Sequence, residues 1–334
     1  MRLTRRSLLI GGSAIAAASA AGAALAQRPQ AFRDATPVPV TAEPIGRLSV
    51  TDPDRTRFGA LLYRSGLDLK SSASAFGGFS SLWRSENGRD LIALADNAQW
   101  LKARIVTADG HLAGLADAVM APLLLSGGTP LRRSRYYDTE SIAISGQEAF
   151  VGVERNHAVI RFERDRNGDL VRGVPIPIPG EVSSLPNNRG LEAIGVAPRS
   201  SPLAGALVAI SEGQKGFILT GPRRGSFDVV RLDSYDVTDL AFLPNGDLLL
   251  LERRFALFGG LGCRLRRMGG AAIAPGAQVD GEIVYESDGS HRIDNMEGLA
   301  VHREGRETIV TLISDNNFNR SLQRTLLLEF ALVG

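Results

Sequence analysis

Carboxylates recur at the ends of short apolar segments in this sequence, a pattern that would supply oxygen ligands for a cation. The segment NMEGLAVHREGRETIVTLISDN (295–316) has Glu297 before one apolar run and Asp315 at the end of the next. Carboxylates brought close together repel each other and lose hydration unless cations or basic side chains neutralise them. Because Cys263 is the single cysteine and only four histidines occur, the pattern favours a hard cation, Ca²⁺ first and Mg²⁺ second.

The same unit occurs five times along the chain. Each copy has a short apolar strand, a polar turn with glycine, a second apolar strand and an acidic residue, as in VTDLAFLPNGDLLLLERR (237–254). The Asn-Gly pairs at 87–88 and 245–246 are strong hairpin signals. The first-position residues of the five copies are Ser80, Glu140, Glu192, Thr238 and Glu297.

A hairpin repeated at this period, with further strands between the copies, predicts the four-stranded antiparallel blades of a β-propeller. At about 50 residues per blade, we predict an all-β, six-bladed β-propeller over residues 43–334. Residues 43–75 would complete the sixth blade and close the ring by pairing with the C-terminal strand TLLLEFALVG. The alternative is a β-sandwich with a small second domain.

The innermost strands of a propeller line its central channel, so matching ends of these strands form a ring at one mouth. We therefore predict a Ca²⁺ site there. The predicted metal ligands are Glu140, Glu192 and Glu297 from the first strands, and Asp96, Glu154, Glu212, Glu252 and Asp315 from the ends of the second. Alternatively, these acids cap hairpins, pair with arginines or hold a purely structural ion.

Basic residues near the same strand ends suit an anionic substrate such as a phosphate ester. The predicted substrate-binding residues are Arg155, Arg189, Arg253, Arg254 and Arg292. We predict His157 and Glu192 as catalytic residues, since a histidine beside the acids can act as acid or base. The alternative is that His157 is a hydrogen-bonded structural residue and that the arginines pair with the acids.

The N-terminal segment has the features of an export signal. Residues 1–26 have Arg5-Arg6 before an uncharged Ala/Gly-rich stretch that ends in a small-x-small site, as in a twin-arginine signal. We expect cleavage, a flexible leader over 27–42 and a periplasmic or secreted location, with the twin-arginine export machinery as a partner. The alternatives are a plain secretory signal and an uncleaved anchor.

The charge balance excludes two classes of partner. Three arginines lie in the signal, which leaves 35 basic against 36 acidic residues in the rest of the chain. We therefore expect neither nucleic acid nor an anionic membrane as a partner. We also expect no stable membrane insertion after cleavage, because no later stretch approaches about 20 apolar residues. We also expect a monomer that acts on a small anionic or ester substrate. A serine-esterase elbow of the GxSxG type and a GxxxxGK phosphate loop are both absent from the sequence.

Four segments together resemble a known family. They are FGGFSSL with LIALADN, TESIAI with FVGVERN, VTDLAFLPNGDLLLLERR, and NMEGLAV with LISDNN. They resemble the bacterial phytase-like propeller family, labelled as having esterase-like activity of phytase, from about residue 57 to the C-terminus. More distantly the chain is similar to calcium-dependent gluconolactonase and paraoxonase propellers. The resemblance implies a propeller, secretion and a calcium site, but no particular substrate.

Two functions remain open at this point. One is a calcium-assisted hydrolase of phosphoesters, esters or lactones at the channel mouth. The other is a non-catalytic periplasmic propeller that binds a ligand or a protein on the same face.

Overall fold

The protein is built almost entirely of β-strands. The structure, a computed structural model, describes residues 31–186, 189–256 and 260–333. Within these ranges the helical elements are one short helix, α1 (Gly180–Ser183), and two 3₁₀ turns at Leu131–Arg133 and Gly270–Ala272. No helix in the described ranges is long and apolar enough to cross a membrane. The expected signal, residues 1–26, lies outside them.

The strands form five sheets, each built outward from an inner strand. The first sheet contains β5 (Phe79–Arg84), β6 (Asp90–Ala95), β7 (Gln99–Ala108), β8 (His111–Pro122) and β1 (Thr36–Pro37). The second contains β9 (Thr139–Ser145), β10 (Glu148–Val153), β11 (Ala158–Arg164) and β12 (Leu170–Pro175). The third contains β13 (Leu191–Val196), β14 (Leu207–Ser211), β15 (Lys215–Ile218), β16 (Gly225–Val229) and β20 (Gln278–Val279).

The remaining two sheets come from the second half of the chain and from its N-terminal part. The fourth contains β17 (Asp236–Phe242), β18 (Leu248–Ala256), β19 (Gly260–Met268) and β21 (Glu282–Glu286). The fifth contains β22 (Asn295–Glu304), β23 (Glu307–Asp315), β24 (Thr325–Leu332), β4 (Leu61–Lys70), β2 (Thr41–Pro44) and β3 (Arg57–Phe58). The architecture is an all-β propeller, as predicted, and each of the five repeated hairpins supplies the two innermost strands of one blade.

The predicted number of six blades is wrong, because the described residues form five sheets. Residues 43–75 do not make a blade of their own. The predicted pairing with the C-terminal strand is confirmed, because β4 pairs antiparallel with β24 along Leu61–Leu69 and Thr325–Leu332. This pairing extends the fifth blade and adds no sixth one. An unpaired strand edge exposes a row of backbone donors and acceptors, and β4 covers that edge of β24. The expected leader also contributes strand pairs, since Thr36–Pro37 pairs with β8.

Apolar side chains fill the space between neighbouring sheets. Between the first and second blades, Leu94, Trp100, Val151 and Phe162 pack into one buried cluster. Full burial of such a side chain contributes about 1.5–3 kcal/mol, so these inter-blade layers hold the inner strands in fixed positions around the channel.

Candidate functional site

Every inner strand carries a β-bulge at the same place, and this bulge builds the site. In β9 the register passes from Thr139, opposite Val153, to Ser141, opposite Gly152, so Glu140 is the extra residue. The same register shift occurs once in each of the other inner strands, where the extra residues are Ser80, Glu192, Thr238 and Glu297. A bulge locally turns a side chain out of the alternating pattern of its strand. The three glutamates of the predicted ring therefore occupy equivalent positions.

The acids at the ends of the second strands lie beside these bulges. The backbone amides of Asp96, Glu154 and Glu212 donate to the carbonyls of Gly78, Asp138 and Gly190, which precede the inner strands. The approach is close at Gly190, where a Cβ atom would stand 2.5 Å from the carbonyl oxygen of Glu154. Asp315 ends β23 opposite Asn295. Together with the bulge glutamates they form what we call the acidic mouth: Asp96, Asp138, Glu140, Glu154, Glu192, Glu212, Glu297 and Asp315.

Asp138 was missed by the sequence reasoning, although it contributes to this mouth. Carboxylate oxygens of Asp138, Glu140 and Glu154 lie within 4.8 Å of one another. Asp138 also accepts a hydrogen bond from Arg155 at 2.5 Å. The only signal in the sequence was its position just before an inner strand, which the repeat does not mark as special.

In the fourth blade the residue at the mouth is Arg253 and not the expected Glu252. Arg253 pairs with Asp236 and Glu252 with Val237, so Arg253 matches the positions of Asp96, Glu154 and Glu212. An offset of one residue turns a strand side chain to the opposite face. Glu252 is fully buried between Arg264 and Arg266, with its carboxylate oxygens 2.7–3.0 Å from their nitrogens. It lies apart from the acidic mouth.

Arg253 brings a cation from the fourth blade into the acidic mouth. Its Nη1 atom donates to Glu297 at 2.5 Å and to Asn295 at 2.9 Å. The side-chain amide of Asn295 donates to the same Glu297 oxygen at 2.7 Å. Glu297 is therefore held firmly by two donors, whereas Glu140 and Glu192 have no ion pair among the described residues.

Burial and mutual repulsion dominate the electrostatics of the acidic mouth. Burial, reinforced by the charges of Glu192 and Glu297, raises the pKa of Glu140 well above its usual range. The pKa of Glu192 is raised in the same way, by burial and then by Glu154 and Glu212. Burial and the Glu297 charge raise the pKa of Asp96 to about 7. Carboxylates with raised pKa values keep their protons to a higher pH than isolated carboxylates do, and a bound cation would lower these pKa values again.

These shifts predict a pH dependence of stability for the cation-free protein. Asp96 loses its proton near pH 4 when unfolded but near 7 when folded. The folded state then binds more protons between these values, so the Asp96 contribution to the free energy of unfolding falls as the pH rises. The free energy of unfolding of Asp96→Asn, measured relative to that of the wild type, should therefore increase by about 2 kcal/mol when the pH is raised from 5 to 7.

Melting temperatures in EDTA at several pH values measure this difference. Comparison with the variant is needed because burial lowers the pKa of His302 to about 3, a contribution that makes stability rise with pH. A constant gap between wild type and Asp96→Asn from pH 5 to 8 would show that Asp96 titrates normally.

The predicted catalytic histidine and the predicted substrate-binding arginines do not form one cluster with the acidic mouth. His157 follows β10 in a turn with φ of 43°; it is 4% exposed, and neither ring nitrogen has a hydrogen-bond partner in the described part of the chain. Arg155 and Arg189 are exposed near the mouth. Burial raises the pKa of Glu212, and the charges of Arg253 and Arg189 partly offset this increase. Arg254 stacks on Tyr235 at 5.0 Å. Arg292 lies elsewhere, in a depression with Ile45 and Arg47.

The chain matches one family in sequence. Residues 74–318 match the family model described as phytase-like, esterase-like activity of phytase. No curated protein matched the sequence.

Several solved structures align with most of this chain at low similarity. The allergen Mala s 1 of Malassezia sympodialis is 12% identical over 83% of this chain and 91% of its own, with a TM-score of 0.41. A protein of Bacteroides uniformis, provisionally named a 6-phosphogluconolactonase, is 13% identical over 89% and 83%, with a TM-score of 0.38. The PQQ-bound aldose sugar dehydrogenase of Streptomyces coelicolor is 14% identical over 89% and 99%, with a TM-score of 0.43. At these identities and scores nothing about function is transferred from them.

Proposed function

The chain belongs to the phytase-like family, esterase-like activity of phytase, and from this premise we propose that its acidic mouth is the Ca²⁺-dependent site of a hydrolase. The substrate class is phosphoesters or carboxylic esters. We further infer, from the N-terminal twin-arginine pattern, that the protein works in the periplasm or outside the cell.

The observation that carries the proposal is the excess of carboxylates at the mouth. Eight acids from four blades meet there, and Arg253 neutralises Glu297 while Arg155 neutralises Asp138. The other six have no ion pair among the described residues, and burial together with neighbouring acids raises the pKa values of Glu140, Glu192 and Asp315. Oxygen ligands of this kind suit Ca²⁺, which takes six to eight of them at about 2.3–2.6 Å. The triplet Asp138, Glu140 and Glu154 fits this donor set best, because its oxygens already converge.

The chain's own residues supply the remaining chemistry. A bound Ca²⁺ would polarise a phosphoryl or carbonyl oxygen and make a bound water more acidic. Burial and the charges of neighbouring acids raise the pKa of Glu192 well above its usual range. We assign Glu192 the role of general acid or base, a role that requires it to take up and release a proton. The exposed Arg189 and Arg155 would draw an anionic substrate toward the mouth.

His157 has a more restricted place in this proposal. Its ring is buried, so it acts on substrate only if the turn that carries it opens. Its nearer role is to position the backbone of Glu154, since the His157 amide donates to the Glu154 carbonyl at 3.0 Å.

The second candidate function is a propeller that binds a ligand or protein without catalysis. Its support is the pairing of Arg253 with Glu297 and Asn295, which fixes part of the mouth without any ligand. A non-catalytic site, whose cation only binds a ligand or stabilises the fold, would have the same carboxylates and the same raised pKa values as a catalytic site.

Calcium binding and hydrolysis are measured on the same purified protein. Ca²⁺ at one hundred times its Kd should add about 2.7 kcal/mol to the free energy of unfolding, and EDTA should remove this gain. Glu140→Gln removes one unpaired mouth carboxylate and should weaken Ca²⁺ binding about tenfold, as measured by calorimetry. The matched control is Glu148→Gln, an exposed residue paired with Arg161 outside the mouth, which should bind Ca²⁺ like the wild type.

Two outcomes decide between the candidate functions. Turnover of an aryl phosphate or an aryl ester that follows the Ca²⁺ saturation curve supports the hydrolase. Ca²⁺ binding without turnover of either substrate class supports the binding propeller. A melting temperature that changes with neither EDTA nor Ca²⁺ would contradict a bound cation in either candidate function.

A further inference from the structure

Phe318, beside the acidic mouth, has a backbone conformation that is unusual for a bulky residue. It follows β23 in the loop to β24, and its φ of 52° comes directly after a φ of 47° at Asn317. Left-handed φ values are uncommon outside glycine and are outliers for bulky side chains. Strain of this kind persists only where the surrounding structure holds it, and it is concentrated at functional sites. The conformation of Phe318 therefore calls for a functional explanation.

The contacts that hold this loop involve the mouth itself. The carboxylate of Asp315 accepts a hydrogen bond from the Asn317 amide at 2.7 Å. The side-chain oxygen of Asn316 accepts from the Phe318 amide at 3.0 Å and from the Gly78 amide at 3.3 Å. The position of Phe318 is thus fixed by a carboxylate of the mouth and by the segment that precedes the innermost strand of the first blade.

The ring of Phe318 lies next to the carboxylate of Asp96. A Cβ atom on Gly78 would stand 2.3 Å from Cε2 of Phe318 and 3.0 Å from Oδ1 of Asp96, so the ring and the carboxylate meet at this glycine. The ring is half-buried, yet it belongs to none of the apolar clusters that fill the described blades. Phe318 therefore does not contribute to the core, and the exposed part of its ring is available to a ligand at the mouth.

A second aromatic side chain lies beside the acids of the second blade. Tyr137 precedes Asp138, is 38% exposed, and accepts a hydrogen bond from Arg155 at 3.1 Å. Arg155 also donates to Asp138, one of the three acids whose oxygens converge. The two aromatic rings thus lie at the first and second blades, whereas Arg253 enters the mouth from the fourth. The mouth is therefore asymmetric, with aromatic rings near the converging acids and a guanidinium on another side.

Resting on the hydrolase proposed above, we propose that Phe318 selects the substrate, and that the substrate is a neutral carboxylic ester of an aromatic alcohol. The aromatic ring of the alcohol packs on Phe318, since aromatic rings attract each other in offset-stacked or edge-to-face arrangements. A neutral ester suits the site better than a phosphate, because eight acids meet there and both Arg155 and Arg253 are already paired with acids. In the reaction water adds to the carbonyl carbon, the bond to the alcohol oxygen breaks, and that oxygen takes up a proton.

Benzyl acetate and ethyl acetate test this preference, because their leaving alcohols are similarly acidic and the two esters differ mainly in the aromatic ring. With the mature protein in Ca²⁺, kcat/KM should be about tenfold higher for benzyl acetate. Phe318→Ala should lower kcat/KM for benzyl acetate about tenfold, the size of a lost pair of aromatic rings, and should change that for ethyl acetate less than twofold. Phe318→Tyr keeps a ring and should behave like the wild type.

Phe242→Ala is the matched control for Phe318→Ala. Phe242 is also half-buried, but it lies at the end of β17 that is farthest from the mouth. Its replacement should leave the ratio of the two kcat/KM values unchanged. This ratio does not depend on the folded fraction of the protein, and melting temperatures show whether both alanine variants fold.

Binding of N-benzylacetamide separates this proposal from the proposed hydrolysis, because the amide has the shape of benzyl acetate but resists hydrolysis. Ligand-observed NMR should show saturable binding that is about tenfold weaker in Phe318→Ala and unchanged in Phe242→Ala. If the wild type binds the amide through Phe318 but hydrolyses neither ester, the proposed hydrolysis is wrong and the aromatic site at Phe318 is supported.

Three results would overturn the proposal. They are equal losses of kcat/KM for benzyl acetate and ethyl acetate in Phe318→Ala, faster turnover of benzyl phosphate than of benzyl acetate, and amide binding that Phe318→Ala leaves unchanged. The second result would identify phosphoesters as the substrates of the same mouth. The third would show that the strained loop only connects β23 to β24.

Discussion

Glu252→Gln should lower the free energy of unfolding by about 3–5 kcal/mol, the usual cost of removing one partner from a buried ion pair. Glu252, Arg264 and Arg266 are all 0% exposed. The carboxylate accepts from Arg264 Nε and Arg266 Nε at 3.0 Å and from Arg266 Nη2 at 2.7 Å. Glutamine keeps the shape but removes the charge, so two buried guanidinium groups lose their shared counter-ion. The remaining acidic partners, Asp233, Asp280 and Glu286, are exposed.

The expected decrease in melting temperature is about 6–20 °C, at roughly 2–4 °C per kcal/mol for a large single domain. Glu286→Gln is the matched control, because Glu286 approaches the same Arg264 at 3.7 Å but is 40% exposed. An exposed pair contributes at most about 1 kcal/mol. Equal losses for Glu252→Gln and Glu286→Gln would mean that the buried carboxylate stabilises the fourth blade no more than an exposed one does.

Asp239→Ala should have the second large effect, a loss of about 2–6 kcal/mol. The variant leaves the Leu299 amide and the Ser81 hydroxyl without their acceptor, and each buried donor left unpaired costs about 1–3 kcal/mol. These donors belong to two other blades, so the loss should appear as a weaker association of blades and not as a local change. Urea unfolding measures it.

Asp228→Ala serves as the control for Asp239→Ala. Asp228 is exposed and paired with Lys215 at 3.0 Å, and its loss should cost less than about 1 kcal/mol. Ser81→Ala, which removes one donor and one acceptor of the same network, should fall between the two. A loss for Asp239→Ala no larger than for Asp228→Ala would contradict a channel held together by this carboxylate.

The hairpins and their acids were readable from the sequence because they depend on local properties. An apolar run, a glycine turn and a second apolar run specify a hairpin wherever they occur. The spacing of Glu140, Glu192 and Glu297 within these units sufficed to place them at equivalent positions. The number of blades, in contrast, does not depend on local sequence alone. The sequence predicted that the N-terminal strand β4 pairs with the C-terminal strand β24, as it does. It did not show whether β4 begins a new blade or extends the fifth one, because that depends on how many strands share one sheet.

Strand register decides which side chains face the mouth. A sequence pattern predicts this register only with an uncertainty of about one residue. Side chains alternate between the two faces of a strand, so a shift of one residue exchanges inside and outside. In Glu252-Arg253 this shift buried the acid between two arginines and put the arginine among the acids. The sequence by itself determined a propeller of repeated hairpins with carboxylates at their ends. Only the tertiary structure decided which carboxylates meet, because each of them reaches the mouth through a bulge and through neighbours that are distant in the chain.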